Sequence, residues 1–535
     1  MKILTLMVTL VGLMAATLPT QAQTNKFDIT EYSVEGNTLL TSPDIAKRLS
    51  PFTGSGREVG DVTQAVEALK SMYHTAGFAA VQVTAPEQTL SSGKVLLKVL
   101  EDKISAIEVS GNSAFDADNI RASLPTLQLS MSLNAKDLEA AIALANENSA
   151  KQVSVNVQPG AKAGDIITTI NVIEDRISKF VATFDNTGSD ATGLNKIGLS
   201  YQNANLFNSD HSLTLQLSGS LENLDKVYSV SLGYHIPFYQ EGVSADLIAA
   251  YSSSSGQNGN LYFSGKGSVL GARLNYPRPS VGDIRQKLIA GFDIKDSESV
   301  SGPMITPITE APISLSYAAQ ITRPEYQGSA SATYITNTTG GAHDQADDYY
   351  NKTKGTGARA PASGPASSNF PSTDWQALRL NGSAGFALPK DWQAKIGINA
   401  QFSSDLLLPS EQFGAGGATS VRGYPERILS GDQGYSANFE IYTPELNKYL
   451  DLPDTSLRGL VFWDVGGISK NDNPLPVGTN GADNIEGIGL GLRLTYKKAT
   501  TLKLDVGWAQ KKAGSIPVTV KQGDSYGNLA MAVVF

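Results

Sequence analysis

Two periodicities divide the chain. Up to about residue 176, period-two stretches are mixed with the three-to-four spacing of amphipathic helices; beyond it only period two remains. Asp28–Glu35 alternates as a strand, Gly36-Asn37 turns the chain, and Ser42-Pro43-Asp44 starts a helix with proline in its first turn. Asp61–Tyr73 sets Val62, Ala65, Val66, Leu69 and Tyr73 on one helical face, and after Gly77 the stretches Ala80–Ala85 and Lys94–Val99 read as paired strands. From Ile104 this order returns. Ile107–Asn112 echoes the earlier Val-Glu-Gly-Asn turn, Ser113–Ile120 starts a helix, and Asn134 caps a second one over Ala135–Asn146. Val153–Val157 and Ile166–Val172, around the Pro159-Gly160 turn, close it. Two α+β units of about 75 residues on one plan, 23–103 and 104–176, make an internal repeat. Two unrelated small α+β domains are the plainer alternative.

From 177 to 535 the alternation comes in segments of about ten to thirteen residues, and about sixteen can be laid down. They begin near Ile177, Gly193, Asp210, Lys226, Gly242, Ser264, Arg285, Ala311, Glu325, Trp375, Asp391, Gln433, Leu457, Glu486, Thr501 and Tyr526. An even count of strands long enough for a tilted bilayer crossing predicts a closed antiparallel transmembrane barrel. The connections alternate in length. Leu388–Asp391, Tyr496–Thr500 and the stretch around Thr322-Arg323-Pro324 are tight, whereas 337–374, 405–432, 469–485 and 511–525 are long, as expected for periplasmic turns and outer loops. Faces agree. Leu502, Leu504, Val506 and Trp508 share one side of their strand, with Lys503, Asp505 and Gly507 on the other; Gly489, Gly491, Arg493 and Thr495 likewise face a lumen. Gly487, Gly489 and Gly491 are therefore small lumenal residues and not a phosphate loop, which needs a following helix.

One stretch breaks the alternation. Gly414–Glu426 combines small, flexible residues with a lone positive charge and an aromatic, and reads as a loop built to aim Arg422. In Leu457–Gly466, Val461, Trp463 and Val465 form an apolar, lipid-directed row, so Phe462 and Asp464 point inward. A guanidinium holds a carboxylate in a two-pronged pair that Lys cannot match. Loop 405–432 is therefore expected to fold into the lumen, with Arg422 bonding Asp464. A water-filled lumen would place the worth of that pair nearer the ~0–1 kcal/mol of an exposed ion pair than the ~3–5 kcal/mol lost on breaking a buried one.

The termini and composition narrow the class. Lys2 and the apolar run Ile3–Leu18, followed by Pro19 and small residues at Thr20 and Ala22, predict a signal peptide over 1–22 cleaved before Gln23. The 535 residues include no cysteine, which excludes a disulfide-stapled fold, and a net charge of −9 disfavours a nucleic-acid partner. The mean hydropathy of −0.14 would pass for a soluble protein, but a barrel hides its lipid face in alternate residues.

Val421-Arg422-Gly423-Tyr424 resembles the hallmark of the long loop in transporters of the POTRA-barrel superfamily, and Phe462-Trp-Asp464-Val-Gly466 is similar to the strand motif that receives its Arg. With two POTRA-like units and sixteen strands, essentially the whole mature chain resembles the outer-membrane transporters of two-partner secretion, the haemolysin and haemagglutinin activator/secretion family. The resemblance implies export, without nucleotide or cofactor, of a secreted exoprotein such as an adhesin or haemolysin. The partner would be bound in extended form by periplasmic POTRA domains and passed unfolded through a barrel set in outer-membrane lipid by the barrel assembly machinery. It also implies an N-terminal plug helix in many members, for which the space between the cleavage site and the first strand leaves no room here, so the folded-in loop is expected to be the main occupant of the pore.

No enzyme motif competes: there is no Gly-x-Ser-x-Gly, no His-Glu-x-x-His and no cysteine, and His74, His211, His235 and His343 are scattered. An insertase of the same superfamily would share the Arg loop, but that resemblance implies more than two POTRA units. A passive porin would explain neither the repeat nor the loop.

Overall fold

The computed structural model describes residues 26–535 apart from 90–91, 190–191, 259–260, 302–303, 339–372, 472–481 and 516–517. The expected signal peptide, His343 and most of the 337–374 connection lie outside the described residues. By their contacts, the chain up to Ser105 with Leu129–Ala135 and Gln158–Ile167 forms one compact unit; Ala106–Gln128, Lys136–Val157 and Thr168–Phe535 form the other.

The first repeat contains β1 (Phe27–Ile29), β2 (Glu31–Glu35), α1 (Ser42–Leu49), β3 (Gly54–Arg57), α2 (Val59–Ala76), β4 (Gln82–Thr84) and β5 (Lys94–Leu100). β2 runs parallel to β5, β4 antiparallel to it, and the order is β2-β5-β4. The single strand expected over Asp28–Glu35 is split. The backbone N–H of Thr30 bonds Gly93 O at 2.7 Å, so β1 peels away to pair with β3. Thr41 caps α1, and α2 ends on Gly77 at φ 105°. Val62, Ala65, Leu69 and Tyr73 of the predicted helical face are buried against Ile29, Ile45, Leu49 and Leu97, with Val66 at the margin.

The second repeat contains β6 (Lys103–Ser110), α3 (Ala117–Ala122), α4 (Ala135–Ala145), β7 (Lys151–Pro159) and β8 (Asp165–Glu174), in the sheet order β6-β8-β7. One device recurs in both repeats. Gly36 and Gly111 turn at φ 85°, and a Cβ on them would lie 2.1 and 2.4 Å from the carbonyl oxygens of Val99 and Val172. The carboxylate two residues after each valine then caps the turn. Glu101 accepts from the backbone N–H of Thr38 and Leu39 at 2.7 and 3.0 Å, and Glu174 from those of Ser113, Ala114 and Phe115 at 3.0, 2.7 and 3.0 Å. Burial alone would raise the Glu174 pKa, but the N–H groups of this nest outweigh it and hold the carboxyl below its usual range.

Sixteen strands then close into an antiparallel barrel. Its first half is β9 (Ser178–Asp185), β10 (Lys196–Leu206), β11 (His211–Ser220), β12 (Val227–Phe238), β13 (Val243–Asn258), β14 (Leu261–Val281), β15 (Ile284–Ser301) and β16 (Met304–Thr322). The second half is β17 (Tyr326–Thr338), β18 (Gln376–Ala387), β19 (Gln393–Phe402), β22 (Gln433–Tyr442), β23 (Thr455–Ser469), β24 (Ala482–Tyr496), β25 (Thr500–Ala509) and β28 (Ser525–Val534). β28 pairs with β9 to close the ring. The short pairs β20 (Phe413–Ala415) with β21 (Leu429–Gly431), and β26 (Ala513–Ser515) with β27 (Val518–Val520), stand outside it.

Two expectations need correction. The strand expected from Ala311 begins at Met304, and β14, β15 and β16 have 21, 18 and 19 residues, well beyond ten to thirteen. The ladder β14–β15 runs out to Phe263↔Ser301 and β15–β16 to Ser301↔Met304. Backbone pairing needs no apolar side chains, so these ribbons continue past the lipid-facing pattern that marks a strand in the sequence. On the opposite end most turns are tight, but 443–454 is longer and holds a helical turn at Asn447–Leu450.

Candidate functional site: the lumenal loop and its receiving wall

The connection between β19 and β22, residues 403–432, carries the β20–β21 hairpin, and Arg422 lies in the segment between those two strands. The structure brings Arg422 and Asp464 together. Nε bonds Asp464 Oδ2 at 2.7 Å, Nη2 bonds Oδ1 at 2.9 Å, and the backbone N–H of Arg422 adds a third bond to Oδ2 at 3.1 Å. The guanidinium stacks on the Phe462 ring, 3.5 Å from its centroid, so both inward residues of the β23 motif are used. The pair is dry. Arg422 is 3 % exposed and Asp464 0 %. The expectation of a water-weakened pair is thus corrected: the loop itself covers the carboxylate and excludes the solvent that an open lumen would supply.

Three further charged residues share the site. Arg422 Nη1 bonds Glu440 Oε1 of β22 at 2.7 Å and lies 3.6 Å from Asp505 Oδ1 of β25. Arg493 of β24 grips Asp505 through both nitrogens at 2.8 and 2.9 Å and lies 3.8 Å from Glu440. Alternation turns Arg493 and Asp505 to the lumen; their tie to Arg422 depends on strand adjacency in three dimensions. The inward position of Glu440 was available from the alternation of β22.

The other motif residues seat the loop. Tyr424 is buried, and its hydroxyl lies 2.9 Å from Glu486 O and 2.8 Å from Lys511 O as donor, and accepts from Lys511 N–H at 3.1 Å. Val421 joins Ala415, Tyr424, Leu429, Ile468, Ile485 and Ala509 in an apolar cluster. Gly423 takes φ 94°, where its own N lies 2.5 Å from a Cβ built on Gly507. A Cβ on Gly466 would meet Val421 Cγ2 at 2.8 Å, and one on Gly487 would meet Arg422 O at 1.9 Å. Gly466, Gly487 and Gly507, on β23, β24 and β25, form a flat shelf on which the loop backbone lies. Gly487→Ala is expected to lift Arg422 off Asp464 and cut export several-fold while the barrel still assembles. Gly527→Ala, where a Cβ meets nothing nearer than 4.0 Å, is the control; partner export and the heat-induced mobility shift on gels check both.

Beside Arg422, Glu440 and Asp505 lies a lumenal cavity of about 580 Å³, bounded elsewhere by Lys395, Asn438 and Lys503. His74 is exposed, while His211 and His235 bond Tyr234 Oη and Asp246 Oδ1, each at 2.7 Å.

A closed sixteen-strand barrel with an Arg-bearing loop folded into it, preceded by POTRA domains, defines an outer-membrane transporter of the POTRA-barrel class. Residues 27–102 match the ShlB-type POTRA domain, and residues 164–494 match the family described as haemolysin secretion/activation protein ShlB/FhaC/HecB. The chain belongs to that family. Among its relatives are the heme/hemopexin transporter protein HuxB of Haemophilus influenzae, 22% identical over 90% of this chain and 83% of the relative, and the outer membrane transporter CdiB of Dickeya dadantii (strain 3937), 22% identical over 76% and 71%. The structure of CdiB from Escherichia coli superposes with a TM-score of 0.72 at 17% identity, covering 97% of this chain and 93% of that one. BamA from Haemophilus ducreyi shares the fold more loosely, with a TM-score of 0.50. Transporters of this family export partner proteins through the barrel, with the POTRA domains in the periplasm. Neither the insertase nor the porin alternative is favoured.

Proposed function

We propose that this transporter binds its exoprotein, an adhesin, haemolysin or similar secreted chain, in extended form on the POTRA domains and passes it unfolded through the barrel, with Arg422 and its partners on the receiving wall controlling the path. The buried Arg422–Asp464 pair carries this reading, because it holds a whole loop inside the lumen through which a polypeptide must travel. The edge strand β2, paired only with β5 among the described residues, offers backbone groups for β-augmentation by an extended segment. Folding of the exoprotein outside supplies the direction of movement, so no nucleotide is needed. The barrel is set in outer-membrane lipid by the barrel assembly machinery. Co-expression with a candidate exoprotein, a large exported protein from a neighbouring gene, is the test. That protein should reach the medium only when this barrel is present; its release without the barrel, or its retention with it, overturns the assignment.

A further inference from the structure

The lumenal loop has a second attachment, at its root. Glu411 is 3 % exposed and is held between two cations of the wall: Lys295 Nζ of β15 bonds Oε1 at 2.7 Å, and Arg379 Nη2 of β18 bonds Oε2 at 2.8 Å. Gln401 of β19 bonds the Glu411 carbonyl at 2.9 Å and orients Arg379 through its Nε at 2.8 Å. Apolar contacts flank this polar hub. Leu408 is buried on Ile308, and Leu407 on Trp375 and Ala377. The returning arm is tied to the same place. Asp432 accepts from the N–H of Leu407 and of Asn471, each at 2.8 Å, and Asn471 Nδ2 bonds the carbonyls of Ser403 and Asp405 at 2.9 and 2.8 Å. Both arms of the loop therefore meet in one buried neck on β15–β19, whereas its tip reaches β22–β25 further round the barrel.

The two attachments differ in kind. At the tip, three carboxylates, Asp464, Glu440 and Asp505, lie within reach of one guanidinium beside an open cavity, so Arg422 can exchange partners as it moves. At the root, the Glu411 carboxylate is bonded by two cations and enclosed by side chains that would have to be exposed to let it go. We infer that Glu411 is a positioning residue for export: with Lys295 and Arg379 it mounts the root of the loop permanently on the wall, so that the tip swings while the root stays fixed.

The chain has no cysteine, so disulfide locks can be introduced cleanly. Leu408→Cys with Ile308→Cys locks the root. Ala415→Cys with Gly466→Cys locks the distal half, the Ala415 Cβ lying 3.5 Å from a Cβ built on Gly466; because that Cβ also meets Val421 Cγ2 at 2.8 Å, the reduced form of the same variant is the reference for this lock. Large-conductance openings of the purified full chain in planar bilayers are the readout, with barrel folding checked on gels. In the Glu411 background the oxidised root lock should leave the openings unchanged, and the distal lock should abolish them until reductant is added. Glu411→Gln, which removes the carboxylate that both wall cations bond, should raise opening frequency about tenfold or more. Glu411→Asp should restore it, and the oxidised root lock should silence the excess in Glu411→Gln. Openings abolished by the root lock, openings that survive the distal lock, or a folded Glu411→Gln variant with unchanged conductance each overturn the inference. If Glu411→Gln does not fold, the two locks decide the matter on their own. Conductance is read without an exoprotein, so failure of the partner assignment above leaves this result standing.

Discussion

Arg422→Ala is expected to assemble as a heat-modifiable barrel and to export no partner. The substitution strands the Asp464 carboxylate in a site with 0 % exposure, and breaking a buried pair of this kind costs ~3–5 kcal/mol. At ~1.4 kcal/mol per decade, that shifts the seated loop by roughly two to four orders of magnitude. The barrel is spared because its ladder closes through β28 and β9 without using the loop. Arg422→Lys should fail as well, since one ammonium cannot meet both oxygens of Asp464 and Glu440 in the same plane. Exchanging the charges, Arg422→Asp with Asp464→Arg, should rescue only in part, because Glu440 and Asp505 then face a carboxylate on the loop. Normal export by Arg422→Ala would end the functional reading, and failure to reach the membrane would reduce the pair to a structural brace.

The second large effect lies where β7 of the second repeat meets the β10–β11 turn. Lys151, with a fully buried side chain, is paired with Asp210, and its Nζ also lies 3.3 Å from Asn119 Oδ1 and 5.1 Å from the Phe115 ring centroid. Tyr239 donates to Asp210 Oδ2 at 2.7 Å, while Asp210 Oδ1 has no hydrogen-bond partner among the described residues. Burial pushes the Lys151 ammonium below its usual pKa, with Asp210 pulling the other way, so desolvation is the larger influence. Lys151→Met should therefore destabilise this junction by ~3–5 kcal/mol, because an unpaired carboxylate stays buried. Adding Asp210→Leu should restore most of the loss, since it removes the stranded charge. Limited proteolysis of the second repeat and the melting temperature of the folded gel band measure both; a Lys151→Met protein as resistant as the unmodified one would show that water reaches Asp210.

Much of this protein is legible in the sequence, for a definite reason. A strand whose faces meet lipid and lumen must alternate, so the start of nearly every barrel strand could be placed within a few residues, and Asp464 could be turned inward from Val461 and Trp463 alone. The repeat was legible because each copy needs the same turn, Gly-Asn under a closing carboxylate, and only glycine fits against the carbonyls of Val99 and Val172. Strand extensions beyond the alternating segments were hidden because backbone pairing does not require alternation of apolar and polar side chains.

The Arg422 loop was legible as a device for aiming one cation, and Asp464 as its target. Only the tertiary structure decided that the pair is dry, that Glu440, Arg493 and Asp505 share it, and that Glu411 anchors the other end. Burial is set by what the loop covers once it lies on Gly466, Gly487 and Gly507, and shared charge by which strands become neighbours. Period two tells each residue which way to face; it carries no information about what stands opposite across the lumen.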